Sequence, residues 1–259
     1  MADLRSVTEY PALARHRAEL RAAGRARRIR LAVALPLLGL TIFGAFSLGV
    51  QFGVFAGAVG AGVLFFLALP GGSSVDAGAL AGIEGEVSVL DRLKALPDDY
   101  RIFNRVKVPD VQLPNGWREL DFIVSGPTGL WIVEVKNTPG HVYVQPDQRH
   151  WPLARRGCCG SRPNWNALEN PIPQARAQAD SLGRWLLRNG VAVEPRSLVC
   201  MAHPEVSLEN RAASPMPILV RDELVAHIRD ASRAALPGGT LPALAQLHPD
   251  RRSSRDRAA

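Results

Sequence analysis

The feature that most constrains this chain is residues 31–69, a run of 39 positions without a charged side chain. A helix rises about 1.5 Å per residue, so the run would extend roughly 58 Å, whereas the hydrocarbon core of a bilayer is about 30 Å thick. This length predicts a transmembrane hairpin of two short helices that turns around residues 49–53. One long helix stays open as the alternative, because small residues recur every four positions, as on a helix-packing face: Ala45, Gly49, Gly53, Gly57 and Ala61.

The positive charge of the chain is concentrated at its two ends. The net charge is +7, with +5 in residues 1–30, −1 in residues 31–79, no net charge in residues 80–231 and +3 in residues 232–259. Arginines directly before a transmembrane segment mark the cytoplasmic side, so residues 1–30 are predicted to form a basic amphipathic segment there. Two crossings would return the rest of the chain to the cytoplasm. The sequence therefore predicts a multi-pass membrane protein that contacts membrane lipids, with a Gly-rich segment suited to homo-oligomerisation.

Beyond the apolar run, the sequence predicts one α/β domain over residues 80–231. Gly and Ser mark residues 70–79 as a linker, and residues 232–259 are predicted to be a disordered tail because they are rich in Pro, Gly and Arg. Three cysteines are too few for a disulfide scaffold. Strands flanked by helices are typical of an α/β fold. The predicted elements are helices at 80–96 and 173–189, strands at 101–108, 118–125, 130–136 and 197–202, a hairpin at 141–145 and 149–153, and a strand and helix within 217–231.

A Gly-Pro-Thr-Gly turn signal at residues 126–129 predicts a hairpin between two β-rich stretches. If the two glycines close the turn, paired residue numbers sum to 255, and Asp121 lies directly opposite Glu134. Side chains alternate between the two faces of a strand, so Lys136 shares the face of the two carboxylates. The opposite face is predicted to be apolar, with Leu120, Phe122, Val124, Trp131, Val133 and Val135.

Two carboxylates directly opposite each other on paired strands repel and destabilise the hairpin. A divalent cation between Asp121 and Glu134 would remove that repulsion, and carboxylate oxygens with water suit Mg²⁺ or Mn²⁺. Lys136 can then orient a water molecule or stabilise charge on a phosphate. The alternative is a solvated polar face with an ordinary Lys–Glu pair.

Several short motifs in this region resemble the nuclease-related domain (NERD) family of the PD-(D/E)xK nuclease superfamily. The resemblance covers roughly residues 80–190 and implies a restriction-endonuclease-like mixed sheet flanked by helices. Leu120 stands where the name of the superfamily has Pro. The motifs are Gly-Ile-Glu-Gly-Glu at 82–86, Leu120-Asp121, Glu134-Val135-Lys136-Asn137, Gly140, Trp151, and Asn170-Pro171 followed by Gln174.

The resemblance also implies the members of a catalytic site. It implies a divalent metal held by Asp121, Glu134 and the carbonyl of Val135, with Lys136 beside the attacking water. Glu86, on the first helix, would add a carboxylate ligand, and Gln174 would enter the site from the later helix. From the residues alone, Glu86 is equally an ordinary solvated helix residue, and Gln174 is equally a first-turn side chain that meets free backbone amides.

Two further clusters of side chains were considered as ligand sites. Arginines interleaved with Trp151 and Trp165 form a basic–aromatic patch that can bind phosphates and stack bases, or can be a solvated loop. A zinc site with Cys200 and His203 is disfavoured, because its partners Cys158 and Cys159 are adjacent and lack ligand spacing. Cys200 is expected to be a buried strand thiol, and His141 and His150 surface residues. The arginines of the patch are Arg149, Arg155, Arg156 and Arg162.

Together these patterns predict a membrane-anchored, Mg²⁺- or Mn²⁺-dependent nuclease whose cytoplasmic domain hydrolyses nucleic acid, with DNA preferred. The alternative is a module of the same fold that binds nucleic acid or a partner without cleaving, and a third is a membrane scaffold. The neutral charge of residues 80–231 favours the binding module.

Overall fold

The computed structural model describes residues 77–155 and 163–249, together with single positions before residue 63. Contacts divide the chain into two units, residues 1–10 with 78–259 and residues 11–77. The predicted segments 1–30 and 31–69 lie almost wholly outside the described residues, as does most of the predicted linker. No helix within the described part is long and apolar enough to cross a membrane.

The unit that contains residues 78–259 is built on a mixed seven-stranded sheet. Its order is β1-β2-β3-β4-β8-β10, and β11 also pairs with β2. Strands β2, β3 and β4 are antiparallel, whereas β8 and β10 continue the sheet in parallel with β4. The strands are β1 (Asp3–Leu4), β2 (Arg101–Pro109), β3 (Trp117–Gly126), β4 (Gly129–Lys136), β8 (Arg196–Met201), β10 (Ile218–Val220) and β11 (His248–Pro249).

Helices cover both faces of this sheet. Helices α1 (Ala77–Leu93) and α3 (Leu224–Asp230) pack on one face, where Phe122 and Val133 lie in the core. Helices α2 (Ile172–Arg188) and α4 (Thr240–Leu244) pack on the other, where Ile123 and Ile132 are buried. The predicted mixed α/β fold is therefore confirmed for the described residues.

A second, four-stranded sheet has the order β7-β6-β5-β9. A third core cluster joins it to the first turn of α2, through Trp151, Ile172 and Ala175, and to Val199 and Met201 of β8. Its strands are β5 (Gly140–Tyr143), β6 (His150–Arg155), β7 (Asn164–Glu169) and β9 (Val206–Glu209). The predicted hairpin of β5 and β6 is confirmed, whereas β7 and β9 were not predicted.

The β3–β4 hairpin has the predicted register. Its pairs run from Gly126 with Gly129 to Phe122 with Val133, so paired numbers sum to 255. Gly129 has φ 109°, a conformation that a residue with a Cβ adopts only with strain. The last recorded pair lies one residue before Asp121 and Glu134, so the ladder ends where the two carboxylates begin.

The prediction that Leu120 shares a face with Phe122 is wrong. Leu120 lies in the core beneath α2, with Ile123 and Ile132. The β2–β3 ladder skips one pair, Arg105 with Asp121, and Arg105 has φ 50°. This left-handed residue interrupts the alternation, so the side chains beyond it exchange faces.

The predicted disorder of the tail is wrong for the part of it that the structure describes. Helix α4 and the following residues bury Ala243, Leu244 and Leu247 beneath the sheet. Proline and glycine here connect short elements, and three apolar side chains fix the segment in the core. Residues 250–259 lie outside the described residues.

Candidate active site

The candidate site lies where strands β3 and β4 separate. Continuing their register would place Leu120 opposite Val135, with backbone hydrogen bonds between them. Instead, the backbone N–H of Val135 donates to Oδ2 of Asp121 at 2.8 Å. Strand β4 keeps its parallel pairing with β8 as far as Lys136, so only its β3 side is open. We call this opening between the two strands the strand cleft.

Glu134 is the most deeply buried carboxylate of the strand cleft, with 1% of the residue exposed. Its Oε1 lies 2.7 Å from Nζ of Lys136, two residues further along β4. Its Oε2 accepts a hydrogen bond of 2.6 Å from Nε2 of Gln178 on α2. The carboxylate is thus held in one orientation by a cation on one oxygen and an amide on the other.

Lys136 connects Glu134 to the start of α2. Its Nζ donates to Oε1 of Gln174 at 2.9 Å, and Gln174 is itself exposed. The structure therefore brings together three of the predicted residues, Glu134, Lys136 and Gln174, at the edge of the cleft. The ammonium group is fixed between two oxygens and lies near the surface, where a ligand can reach it.

Asp121 lies in an acidic environment. Burial raises the pKa of its carboxyl well above the ordinary range, and the charges of Glu134 and Glu86 raise it further. The hydrogen bond from the Val135 N–H and the charge of Lys136 act in the opposite direction. The carboxyl of Asp121 is therefore more readily protonated in the folded protein than a free aspartate side chain is.

Helix α1 brings Glu86 towards these carboxylates through a close contact at Gly85. A Cβ on Gly85 would lie 2.5 Å from Cβ of Asn137, directly after Lys136, so a larger residue would displace the helix. Nδ2 of Asn137 also donates to the carbonyl of Ala81 at 2.6 Å. These contacts explain why Gly85 is required at this position and place Glu86 within electrostatic reach of Asp121.

Arg105 and Asp121 lie at the position where the β2–β3 ladder skips one pair. The sequence analysis missed Arg105. Its Nε is 4.0 Å from Oε2 of Glu86, and a terminal nitrogen is 3.7 Å from Oε1 of Glu119. Only its left-handed φ of 50° marks it, and that is invisible in the sequence. Backbone strain of this kind is concentrated at functional sites.

Gln178 was also missed. Gln174 and Gln178 are four residues apart on α2 and therefore lie on one face of the helix. That spacing was available in the sequence, but nothing in it indicated that Gln178 would be buried against Glu134. The strand cleft thus contains Glu86, Arg105, Asp121, Glu134, Lys136 and Gln178, with Gln174 at its edge.

The donor atoms of the cleft fit a divalent cation of the Mg²⁺ type. Mg²⁺ is held by one or two carboxylates and retains several waters, and Asp121 and Glu134 supply two. Oε1 of Gln178 is buried without a hydrogen-bond partner among the described residues, which leaves one oxygen unsatisfied beside Glu134. No group of three or more His, Cys, Asp or Glu in the described part has the geometry of a complete metal site. Carbonyl, amide or water oxygens would therefore complete the coordination.

The predicted nucleic-acid-binding arginines are described only in part. Arg149 and Arg155 are exposed at the two ends of β6, whereas Arg156 and Arg162 lie outside the described residues. Trp151 is fully buried in the core, so it is not part of a binding surface. Trp165 is 59% exposed, and its ring centroid lies 5.8 Å from that of Tyr143. Nucleic-acid binding by the two described arginines stays a prediction.

The residues of the disfavoured zinc site have other environments. Cys200 is a buried free thiol on β8, and burial raises its pKa to about 12. His203 accepts a hydrogen bond from the backbone N–H of Glu205, and His141 contacts Ser207 and Glu209. The expectation of a buried strand thiol is therefore confirmed.

Comparisons with known proteins agree with the motifs. Residues 81–202 match the family model described as nuclease-related domain (NERD). None of the curated proteins matches the chain at a significant level. Among solved structures, the chain is similar to the crystal structure of protein VC1899 from Vibrio cholerae, with 12% identity and a TM-score of 0.31. That match covers 87% of this chain and 57% of VC1899, so this chain spans a little over half the length of that structure.

The match of residues 81–202 to the nuclease-related domain model confirms the resemblance that the motifs predicted.

Proposed function

We propose that this protein is a metal-dependent nuclease that hydrolyses phosphodiester bonds of nucleic acid, with DNA as the preferred substrate. The observation that carries the proposal is the strand cleft, in which Asp121 and Glu134 converge beside the ammonium group of Lys136. The match of residues 81–202 to the nuclease-related domain model supports it. We include in this proposal that the sheet and its flanking helices have the restriction-endonuclease-like arrangement.

In this proposal, the carboxylates of Asp121 and Glu134 and the carbonyl of Val135 hold a Mg²⁺ or Mn²⁺ ion, with Glu86 as a further carboxylate. When bound, the cation supplies an acidified water and neutralises charge on the phosphate. Lys136 donates hydrogen bonds to the water or to a phosphate oxygen, where negative charge develops during hydrolysis. Gln174 holds the Lys136 ammonium at the open edge of the cleft, where the substrate arrives.

The charge of the cleft supports a cation requirement. Burial raises the pKa of Asp121, and the nearby charges of Glu134 and Glu86 raise it further. Carboxylates so close together would repel a phosphate diester when they are ionised. A divalent cation reverses the local sign of the charge and allows an anionic substrate to approach. The proposal thus explains why a site for an anion is built largely from anions.

The test is cleavage of plasmid and linear DNA by the full-length chain in Mg²⁺ or Mn²⁺, with EDTA as the control. We expect cleavage that requires the cation and is lost in Glu134→Ala and Lys136→Ala. Full activity of Glu134→Ala would contradict the proposal. The absence of cleavage by folded wild-type protein, with either cation and either substrate, would contradict it as well.

A non-catalytic binding module is the second candidate function. The equal numbers of positive and negative residues in 80–231 favour it, because the domain has no net positive charge to drive tight binding of a nucleic-acid substrate at physiological salt. DNA binding without detectable Mn²⁺ binding at the cleft would favour this module over the nuclease.

We further propose that residues 31–69 anchor the protein in a membrane and leave the nuclease-related domain on the cytoplasmic side. The length and lack of charge of this run support the anchor, and the arginines before it support the orientation. Protease digestion of sealed inverted vesicles tests the proposal. Degradation of the domain is expected, and its protection would contradict the orientation.

A further inference from the structure

Gln178 occupies the point at which strands β3 and β4 separate. Its Nε2 donates to Oε2 of Glu134 at 2.6 Å and to the backbone carbonyl of Glu119 at 3.2 Å. One amide group therefore contacts both walls of the strand cleft. With 1% of the residue exposed, Gln178 is as buried as Glu134 itself.

The orientation of this amide is fixed by its partners. A carboxylate and a backbone carbonyl only accept hydrogen bonds, so the nitrogen of the amide must face both of them. The other end, Oε1, is buried and has no hydrogen-bond partner among the described residues. A buried unpaired amide oxygen is unfavourable unless a water or ion meets it, so this atom is available to accept from one.

The position of Gln178 on α2 gives no packing reason for a polar side chain. Its neighbours on the buried face of the helix include Ala175 and Leu182, which are fully buried. An apolar side chain there would be buried without the cost of desolvating an amide. The amide therefore contributes through its hydrogen bonds to Glu134 and to the Glu119 carbonyl.

We propose that Gln178 is a positioning residue for a divalent cation in the strand cleft. Its N–H groups fix Oε2 of Glu134 and keep the two strands apart, and its Oε1 accepts a hydrogen bond from a water molecule of the bound cation. The inference rests on the proposed metal-dependent function and adds a residue to that site. Groups that orient metal ligands in this way contribute about ten- to a hundredfold to metal affinity.

The test is calorimetric titration of Mn²⁺ into the full-length chain, as wild type and as Gln178→Met. Met is nearly isosteric with Gln but lacks both amide atoms. We expect Mn²⁺ affinity to fall about ten- to a hundredfold. Gln178→Asn, whose amide is one methylene too short to reach Glu134, is expected to show the same loss and replaces Gln178→Met if that variant does not fold.

Leu182→Ala is the matched control for stability. Leu182 is a fully buried residue one turn further along α2 and lies in the core beneath the sheet. Its truncation leaves a cavity and lowers stability without touching the carboxylates. We expect this variant to melt at a lower temperature and to bind Mn²⁺ with wild-type affinity, so that a general loss of stability is separated from the loss of positioning.

Crystal structures of wild type and Gln178→Met provide a readout that needs no metal. Displacement of the Glu134 carboxylate in the variant supports the inference, and an unmoved carboxylate overturns it. Equal Mn²⁺ affinity in wild type and Gln178→Met also overturns it. If the wild-type chain binds no Mn²⁺, the proposed function fails, and the position of Glu134 still decides whether Gln178 orients it.

Discussion

Two buried acidic sites lie beneath the same helix and have opposite electrostatic character. At one, Asp110 follows β2 and accepts hydrogen bonds from Arg118 Nε at 2.7 Å, Ser181 Oγ at 2.8 Å and Gln112 N at 3.0 Å. At the other, Asp121 lies in the strand cleft near two further carboxylates. Helix α2 contributes Ser181 to the first site and Gln178 to the second.

The pKa values of the two aspartates express this difference. Hydrogen bonds from the Ser181 hydroxyl and the Gln112 N–H lower the pKa of Asp110 to about 2. Burial and the charges of Glu134 and Glu86 raise the pKa of Asp121. A carboxylate whose charge is matched by the fold stabilises the native state, whereas an unmatched cluster stores repulsion that an external cation can relieve. The comparison teaches that burial alone does not distinguish a structural acid from a functional one.

The largest expected effect is on activity, which should depend on the strand cleft and not on Asp110. Glu134→Gln keeps the size of the side chain and removes its charge, so we expect metal-dependent DNA hydrolysis to fall by roughly 10²–10³-fold. Asp110→Asn, measured per folded molecule, should retain wild-type activity, because it lies outside the cleft. Equal losses in both variants would remove the distinction between the sites.

The second prediction concerns stability, which is expected to depend strongly on Asp110. Asp110→Ala leaves the partly buried Arg118 guanidinium without its carboxylate, and we expect the free energy of unfolding to fall by about 3–5 kcal/mol. Urea denaturation followed by circular dichroism measures the change. Asp147→Ala, at an exposed position, is the control and should change the unfolding free energy by less than about 0.5 kcal/mol.

The pH dependence of stability follows from the Asp110 pKa. Because that pKa is lowered from 3.8 to about 2, the stabilisation is present above pH 3.8 and is lost as the pH falls through 2. Melting temperatures measured across this window should therefore drop more steeply in wild type than in Asp110→Asn. Parallel curves for the two proteins would show that Asp110 is not the group that titrates.

The fourth prediction concerns Asp121, whose pKa is shifted in the opposite direction to that of Asp110. A raised pKa means that the charged carboxylate is disfavoured in the folded state, so stability is lost as the pH rises above 3.8. In EDTA at neutral pH, Asp121→Asn should raise the free energy of unfolding by about 0.5–2 kcal/mol. The amide oxygen of Asn can still accept the Val135 N–H, so the variant isolates the charge. A destabilised Asp121→Asn would place this residue in the same category as Asp110.

In Mn²⁺, wild type should be more stable than Asp121→Asn, which is the reverse of the order expected in EDTA. A cation that binds only the folded state stabilises wild type, and Asp121→Asn, which has lost one ligand, gains less. Differential scanning fluorimetry with and without Mn²⁺ measures both shifts. Equal shifts in the two proteins would mean that Asp121 is not a ligand.

The last prediction concerns the backbone conformation of Arg105, which lies beside the strand cleft. Arg105→Gly and Arg105→Ala both remove the contacts with Glu86 and Glu119, but only Gly adopts φ 50° without strain. We expect Arg105→Gly to be more stable than Arg105→Ala by about 1–2 kcal/mol in urea denaturation. Equal stabilities would show that the left-handed conformation does not persist once the arginine is removed.

The difference between the two acidic sites also explains what could be predicted from the sequence. The hairpin and its register depend on a local turn, which is encoded by neighbouring residues. The resemblance to the nuclease-related domain family followed from the short motifs of the same region and is confirmed by the match of residues 81–202.

The remaining features depend on residues that are distant along the chain. Gln178 reaches Glu134 from 44 positions away, and Ser181 reaches Asp110 from 71, so neither contact has a local signal. The exchange of faces at Leu120 depends on one backbone angle at Arg105. Burial of Leu244 and Leu247 in the segment predicted to be disordered depends on apolar side chains of α2 and the sheet, such as Leu186 and Val106, with which they form one core cluster.

The most direct test of the account is an anomalous diffraction map from crystals of this protein soaked in Mn²⁺. Such a map locates the cation independently of any activity. The account predicts a peak in the strand cleft in contact with Asp121 and Glu134, and no peak at Asp110. A map with no peak at the cleft, or with a peak at Asp110, would contradict it.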